Sequence, residues 1–258
     1  MATQSQSILY EQPVNELIRV CLRLEHLLQQ GLENLRGTTI WDSRASMLTI
    51  HDILNILDRP DLRTKLTKEF VRYLATLSRL ESVDHIDQKK LSATIVEVEN
   101  VLDSMHATNG RFAQELRDND FLNTIRQHLS NPGGASGFDV PAYHYWLQQP
   151  INERNVLLHT WFGHFDQINS AVGLMLRLIR QSSSPQLQTA HGGFYQTNLD
   201  PTQSVQLIRI SVPTTTAVFP EISVGRHGVS LRFYTPSVKE RAALYKQDVV
   251  FKLSCCIF

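Results

Sequence analysis

The hydrophobic period of this chain changes once, and that change constrains the fold more than any other feature. Up to residue 181 apolar residues recur at three- and four-residue steps, the spacing that gathers one face of an α-helix. Beyond Ser182-Ser183-Ser184-Pro185 they alternate with polar residues, as in strands with one buried face. Helices first and strands afterwards is the order of an α+β fold.

In the helical part, Asn15 is placed to cap a helix through Leu17, Ile18, Cys21, Leu24, Leu28, Leu32 and Leu35. A second helix carries Met47, Ile50, Ile53, Leu54 and Leu57, and a third runs from Leu62 to Leu80; Arg59-Pro60 separates them, because the residue before proline is pushed out of the helical region. Leu91, Ile95, Val98, Leu102 and Met105 mark a fourth. Shorter helices are predicted near 118–129 and 139–148, and a long one over 152–181 with a kink at Gly163. Strands are predicted at 205–212, 219–224, 229–233 and 249–253, and their short connections make the sheet antiparallel. Residues 239–246 have room for one helical turn. The extended segment Ile8–Pro13 has no partner among the helices and is expected to join the C-terminal sheet. The expected organisation is residues 1–13 as that strand, 14–182 as an α-helical domain and 183–258 as a β-strand domain.

With 258 residues, 42% hydrophobic and 19% charged, the composition is that of a soluble globular protein. The 25 basic and 25 acidic residues cancel, which removes the overall basic field that would recruit nucleic acid or an anionic membrane unspecifically. The cancellation is uneven: residues 171–258 hold 9 Lys and Arg against 4 Asp and Glu, so an acidic peptide or a phosphate would dock on the C-terminal third. Met1–Ser7 contains neither a basic nor an apolar stretch, so no secretory signal is expected and the location is expected to be cytosolic. The longest uncharged run, Gln181–Leu199, is made of Ser, Gln, Thr and Gly and would not insert in a membrane. Cys21, Cys255 and Cys256 have neither disulfide-framework nor metal spacing and are expected to be buried thiols.

The sequence offers no catalytic signature. The loop Asn131–Asp139 is glycine-rich but matches neither nucleotide-binding fingerprint; it reads as a tight turn, with Asp139 capping the next helix and Pro141 in its first turn. His159 and His164 are five apart and face different ways, no Gly-x-Ser-x-Gly elbow occurs, and Glu97 and Glu99 diverge on their helix. The expectation is a non-enzyme with no cofactor and no metal. The aromatic group Tyr143, Tyr145, Trp146, Trp161, Phe162 and Phe165 reads as core or dimer packing.

Several longer strings carry more information than periodicity. Tyr10-Glu11-Gln12-Pro13-Val14-Asn15-Glu16 with Leu22-Arg23-Leu24-Glu25, Pro132-Gly133-Gly134 with Phe138-Asp139-Val140-Pro141 and Trp146-Leu147, Leu178–Ser182 with Gly193-Phe194-Tyr195-Gln196, Leu231-Arg232-Phe233, and the Cys255-Cys256 ending resemble, in this order, the ZapD family of bacterial cell division proteins. The resemblance implies a cytoplasmic, dimeric, non-enzymatic factor that is recruited to the mid-cell ring. Such a factor binds the C-terminal tail of the tubulin-like GTPase FtsZ and bundles its protofilaments. It also implies a basic tail-binding surface, whose arginines fall on Arg59, Arg117, Arg226 and Arg232, and a structural loop through Pro132, Gly133, Gly134, Phe138 and Asp139. Asp120 and Gly228 stand where the family can have arginine. The alternative function is a helical scaffold whose basic sheet binds a phosphorylated ligand or single-stranded nucleic acid, with Phe194, Tyr195, Phe233 and Tyr234 as stacking platforms.

Overall fold

The computed structural model describes residues 6–83, 85–107, 110–129, 131–200, 202–225 and 228–257. The helical elements among them are α1 (Glu16–Asn34), α2 (Ile40–Leu57), α3 (Leu62–Leu80), α4 (Gln88–Ala107), α5 (Gln114–Arg117), α6 (Asp120–Leu129), α7 (Pro141–Leu147), α8 (Ile151–Gly163) and α9 (Asp166–Gln181). The strands are β1 (Ser7–Pro13), β2 (Gln186–Ala190), β3 (Phe194–Asn198), β4 (Val205–Pro213), β5 (Phe219–Gly225), β6 (Gly228–Thr235), β7 (Ala243–Leu244) and β8 (Val249–Ile257). The chain is α+β as expected, and it forms two compact units, residues 20–175 and residues 1–19 with 176–258.

Short polar residues start the helices. The Asn15 side chain accepts the Ile18 N–H at 2.9 Å; Thr39 and Asp42 form a reciprocal capping box at α2; Asn119 accepts the Leu122 N–H at 3.0 Å. Each satisfies an amide that the helix leaves unpaired. The long helix expected over 152–181 is two helices, α8 and α9, interrupted at 164–165 instead of kinked. α8 ends at Gly163, and α9 restarts at the acidic Asp166.

In the unit of residues 20–175, the aromatic residues pack as expected. Tyr143 stacks on Trp146 at 5.8 Å and Phe121 on Trp161 at 6.1 Å, all at the junction of α6, α7 and α8. Tyr145 is the exception, 70% exposed. Arg154 is buried and donates to the Ser43 hydroxyl at 2.9 Å, which links α8 to α2.

In the other unit, β1, β4, β8 and β2 form one antiparallel sheet in that order, and β3, β6 and β5 form another, with β7 also paired to β6. The short stretch that had room for a helical turn is therefore a strand at Ala243–Leu244, opposite Thr235 and Tyr234. Ile208, Ile210, Val212 and Phe251 from the first sheet share one buried cluster with Val229, Leu231 and Phe233 from the second, making a sandwich. The Phe251 ring meets Tyr195 at 5.2 Å and Phe233 at 5.3 Å.

The N-terminal strand joins this sheet as expected, with Tyr10 opposite Ile210 and Glu11 opposite Arg209. Glu11 accepts from Arg209 Nε at 2.8 Å and from Arg180, at the end of α9, at 2.9 and 2.7 Å. Two of the nine cations of the C-terminal third are thereby consumed inside the fold. Burial raises the thiol pKa of Cys21 to about 12 and of Cys256 to about 11, so both stay protonated.

Candidate functional site

Helix α2 stops because Pro60 cannot continue it, and the stop leaves Asp58 at its carboxyl end. The Asp58 carboxylate accepts hydrogen bonds from both Arg117 at the end of α5 and Arg126 on α6. Arg126 also donates to Asn55 at 2.7 Å, and Arg117 to the Phe112 carbonyl at 3.2 Å. Two guanidiniums thus share one carboxylate beside the α2 carboxyl terminus, whose dipole favours cations. The exposed Arg59 follows directly in the chain, within electrostatic reach of Asp61, as Arg117 is of Asp118, so the corner holds carboxylates as well as guanidiniums.

The two shared arginines are not equivalent. The Arg117 side chain is 9% exposed, whereas that of Arg126 is 35% exposed. Burial, then the neighbouring Arg126, lowers the Arg117 pKa from its high ordinary value. Asn123 holds the Arg117 carbonyl at 2.6 Å. Arg117 therefore positions Asp58, and Arg126 is the guanidinium of the pair that faces solvent. Asp120, where the family can have arginine, opens α6, an end that favours an anion.

On β6, side chains alternate as expected: Val229, Leu231 and Phe233 are buried, and Arg232 is exposed on the opposite face. Arg232 stands in register between Phe194 of β3 and Glu221 of β5. Two residues on, Tyr234 stacks on Phe219 with centroids 5.8 Å apart, and an open cavity of about 310 Å³ is lined by these rings, Glu221 and Arg241. Arg226 lies outside the described residues. A side chain at Gly228 would put its Cβ 2.7 Å from the Thr197 carbonyl oxygen, so the arginine that the family can have there does not fit this strand spacing. Of the four aromatic platforms in the alternative reading, Phe233 is fully buried and Tyr195 faces the sandwich interior, because both occupy the core phase of the strand alternation. Only Phe194 and Tyr234 remain on the Arg232 face.

The loop before α7 is built on its glycines. Gly133 has φ +71°, and a Cβ on Gly134 would fall 1.8 Å from the His128 carbonyl oxygen. The expected role of Asp139 is corrected: it accepts the Ser136 N–H at 3.2 Å and hydroxyl at 2.6 Å, closing its own turn, and these bonds lower its pKa. The residue before α7 is Val140, with no side-chain cap, and Pro141 opens the helix as expected. Pro132 lies at the exposed start of this turn, and Phe138 is 87% exposed.

Arg59 and Arg117 are thus brought to one corner, and Arg232 occupies a separate patch in the strand unit. Sequence reasoning missed Asp58, Arg126 and Arg241. No spacing rule relates Asp58 to partners 59 and 68 residues away; the pairing exists only after α2, α5 and α6 pack. Among the described residues no group of three or more His, Cys, Asp or Glu is placed to hold a metal ion, and no helix is long and apolar enough to cross a membrane.

The family profile described as cell division protein ZapD matches residues 22–232. The cell division protein ZapD of Coxiella burnetii (strain RSA 331 / Henzerling II) is 39% identical over 252 residues, which cover 97% of this chain and 98% of the relative. That of Methylococcus capsulatus (strain ATCC 33009 / NCIMB 11132 / Bath) is 34% identical over 250 residues, 97% and 98% of the two chains. That of Aromatoleum aromaticum (strain DSM 19018 / LMG 30748 / EbN1) is 33% identical over 249 residues, 96% and 97%. Near full-length matches of this kind, together with the family profile, mean that the chain belongs to the ZapD family of cell division proteins.

Proposed function

We propose that this chain binds the C-terminal tail of FtsZ and, as a cytoplasmic homodimer with two tail sites, cross-links FtsZ protofilaments at the division site. The observation that carries this reading is the pair of guanidiniums on the Asp58 carboxylate, one nearly buried and one partly open to solvent. A carboxylate of an acidic tail can engage Arg59 and the half-exposed Arg126 while Arg117 stays in place, because Arg117 is held by its own buried contacts. Arg232, with Phe194 and Tyr234 on the same face, offers a charged contact and apolar surface to the same class of peptide. The reading uses binding alone, with no catalytic step, cofactor, metal or nucleic acid. Two sites per dimer are required because a single site decorates one filament without joining it to another, and linked sites raise avidity with no new contact.

The direct test is low-speed sedimentation of FtsZ polymerised with GTP. Added chain is expected to move the polymer into the pellet, and FtsZ truncated before its tail is expected to stay in the supernatant. Equal pelleting of tailless FtsZ would contradict the proposal.

A further inference from the structure

The patch around Arg232 holds an acid as well as bases. Glu221 of β5 stands in register with Arg232 of β6, and both are exposed on the face of the sheet opposite the buried Phe233. Residues directly opposite on antiparallel strands keep their Cβ atoms about 4.5–5.5 Å apart, so a glutamate there is within reach of the arginine. Glu221 also lines the cavity of about 310 Å³, together with Arg241 and the stacked rings of Phe219 and Tyr234. It therefore adjoins two guanidiniums, one across the strand pair and one around the cavity. The other acids of the C-terminal third are placed elsewhere: Asp200 accepts the Thr202 N–H at 2.9 Å, Asp248 accepts the Gly192 N–H at 2.9 Å, and Glu240, next to Arg241 in the chain, does not line the cavity. Among the described residues that line the cavity, Glu221 is the one acid.

We propose that Glu221 is the specificity-determining residue of the Arg232 patch, acting as a tethered competitor for the carboxylates of the bound peptide. The inference rests on the reading that an acidic tail binds there, and it adds how the patch weighs the charge of that tail. A carboxylate that approaches Arg232 or Arg241 has to displace Glu221 and is also repelled by it. Exposed charges interact weakly in water, so the effect is a few-fold in affinity and not a block. Its consequence is selectivity. Negative charge alone gains little at the patch, whereas a peptide that also lays an apolar side chain on Phe219 and Tyr234 keeps that gain, because ring contact is indifferent to the carboxylate. The sheet thereby separates a tail of mixed acidic and apolar residues from a plain polyanion.

The test is calorimetric titration of the full chain, at low salt, with the FtsZ tail peptide and with the same peptide carrying Asn and Gln in place of its Asp and Glu. Glu221→Gln is expected to bind the acidic peptide about threefold tighter than wild type and the neutralised peptide equally well. Glu221→Asp keeps the charge and is expected to stay within about twofold of wild type for both. Glu99→Gln, at an exposed position on α4, makes the same change of net charge and is expected to leave both affinities unchanged. Raising the salt is expected to shrink the gain of Glu221→Gln, since screening weakens exposed charges. Unchanged or weaker binding of the acidic peptide by Glu221→Gln, an equal gain for the neutralised peptide, or the same gain in Glu99→Gln would overturn this inference and leave the tail reading standing. Failure of the wild type to bind the acidic peptide at all would overturn both.

Discussion

Arg117 and Arg59 carry the same charge and look alike in the sequence, but burial separates their roles. Arg117→Ala removes a nearly buried partner of Asp58 and is expected to cost about 3 kcal/mol, the low end for breaking a buried pair because Arg126 stays with the carboxylate. Arg59→Ala, at an exposed position, is expected to change stability by about 1 kcal/mol or less. Urea denaturation of both variants measures the difference, and equal midpoints would contradict it. On the preceding turns of α2, His51 is buried with neither ring nitrogen bonded to a described residue, and burial, then Arg126, lowers its pKa to about 4. Between pH 6.5 and 4 the unfolded chain therefore binds more protons than the folded one. The stabilisation is complete above pH 6.5 and is lost as the pH falls toward 4, by about 3 kcal/mol in all. His51→Leu removes the titrating group, so its stability is expected to fall less than wild type between pH 7 and 4.5; parallel losses would place the acid sensitivity elsewhere.

At the scale of elements, β1 is tied to the fold by more than its ladder. Glu11 neutralises Arg180 and Arg209, all three largely withdrawn from water, so Glu11→Ala leaves two guanidiniums without their carboxylate. The expected cost is about 3–5 kcal/mol, read as a lowered denaturation midpoint; a loss below about 1 kcal/mol would mean that solvent already screens the triad. Most elements were legible because their signal is periodic burial: α1 to α4, β4, β6 and β8 fall where apolar residues recur with one period. β2 and β3 were illegible for a physical reason, since Gln186, Gln188 and Thr197 take the inward positions and line a cavity, which leaves no apolar alternation to read. Asp139 was misread because Ser136, three residues earlier, offers its carboxylate a closer partner than the helix start. Arg232 was legible from alternation along β6 alone, whereas Arg126 was not, because its importance depends on a carboxylate contributed by another helix.

For the whole molecule, the central claim is that solvent-facing arginines hold an acidic tail, and neutral net charge conceals them. Cations withdrawn from water into the fold, Arg180 and Arg209 among them, do not contribute to such a site. The most direct measurement is calorimetric binding of the FtsZ tail peptide to three proteins: the wild type, Arg59→Glu with Arg226→Glu and Arg232→Glu, and a control with Arg23→Glu, Lys68→Glu and Arg79→Glu. Both variants change net charge equally, so a general field effect would weaken both alike. Losing a charge-assisted contact costs about 2–5 kcal/mol, against about 8 kcal/mol for a micromolar interaction. The account predicts that the first variant shows no measurable binding while keeping wild-type circular dichroism, and that the control binds within about threefold of wild type; wild-type affinity in the first variant would contradict it.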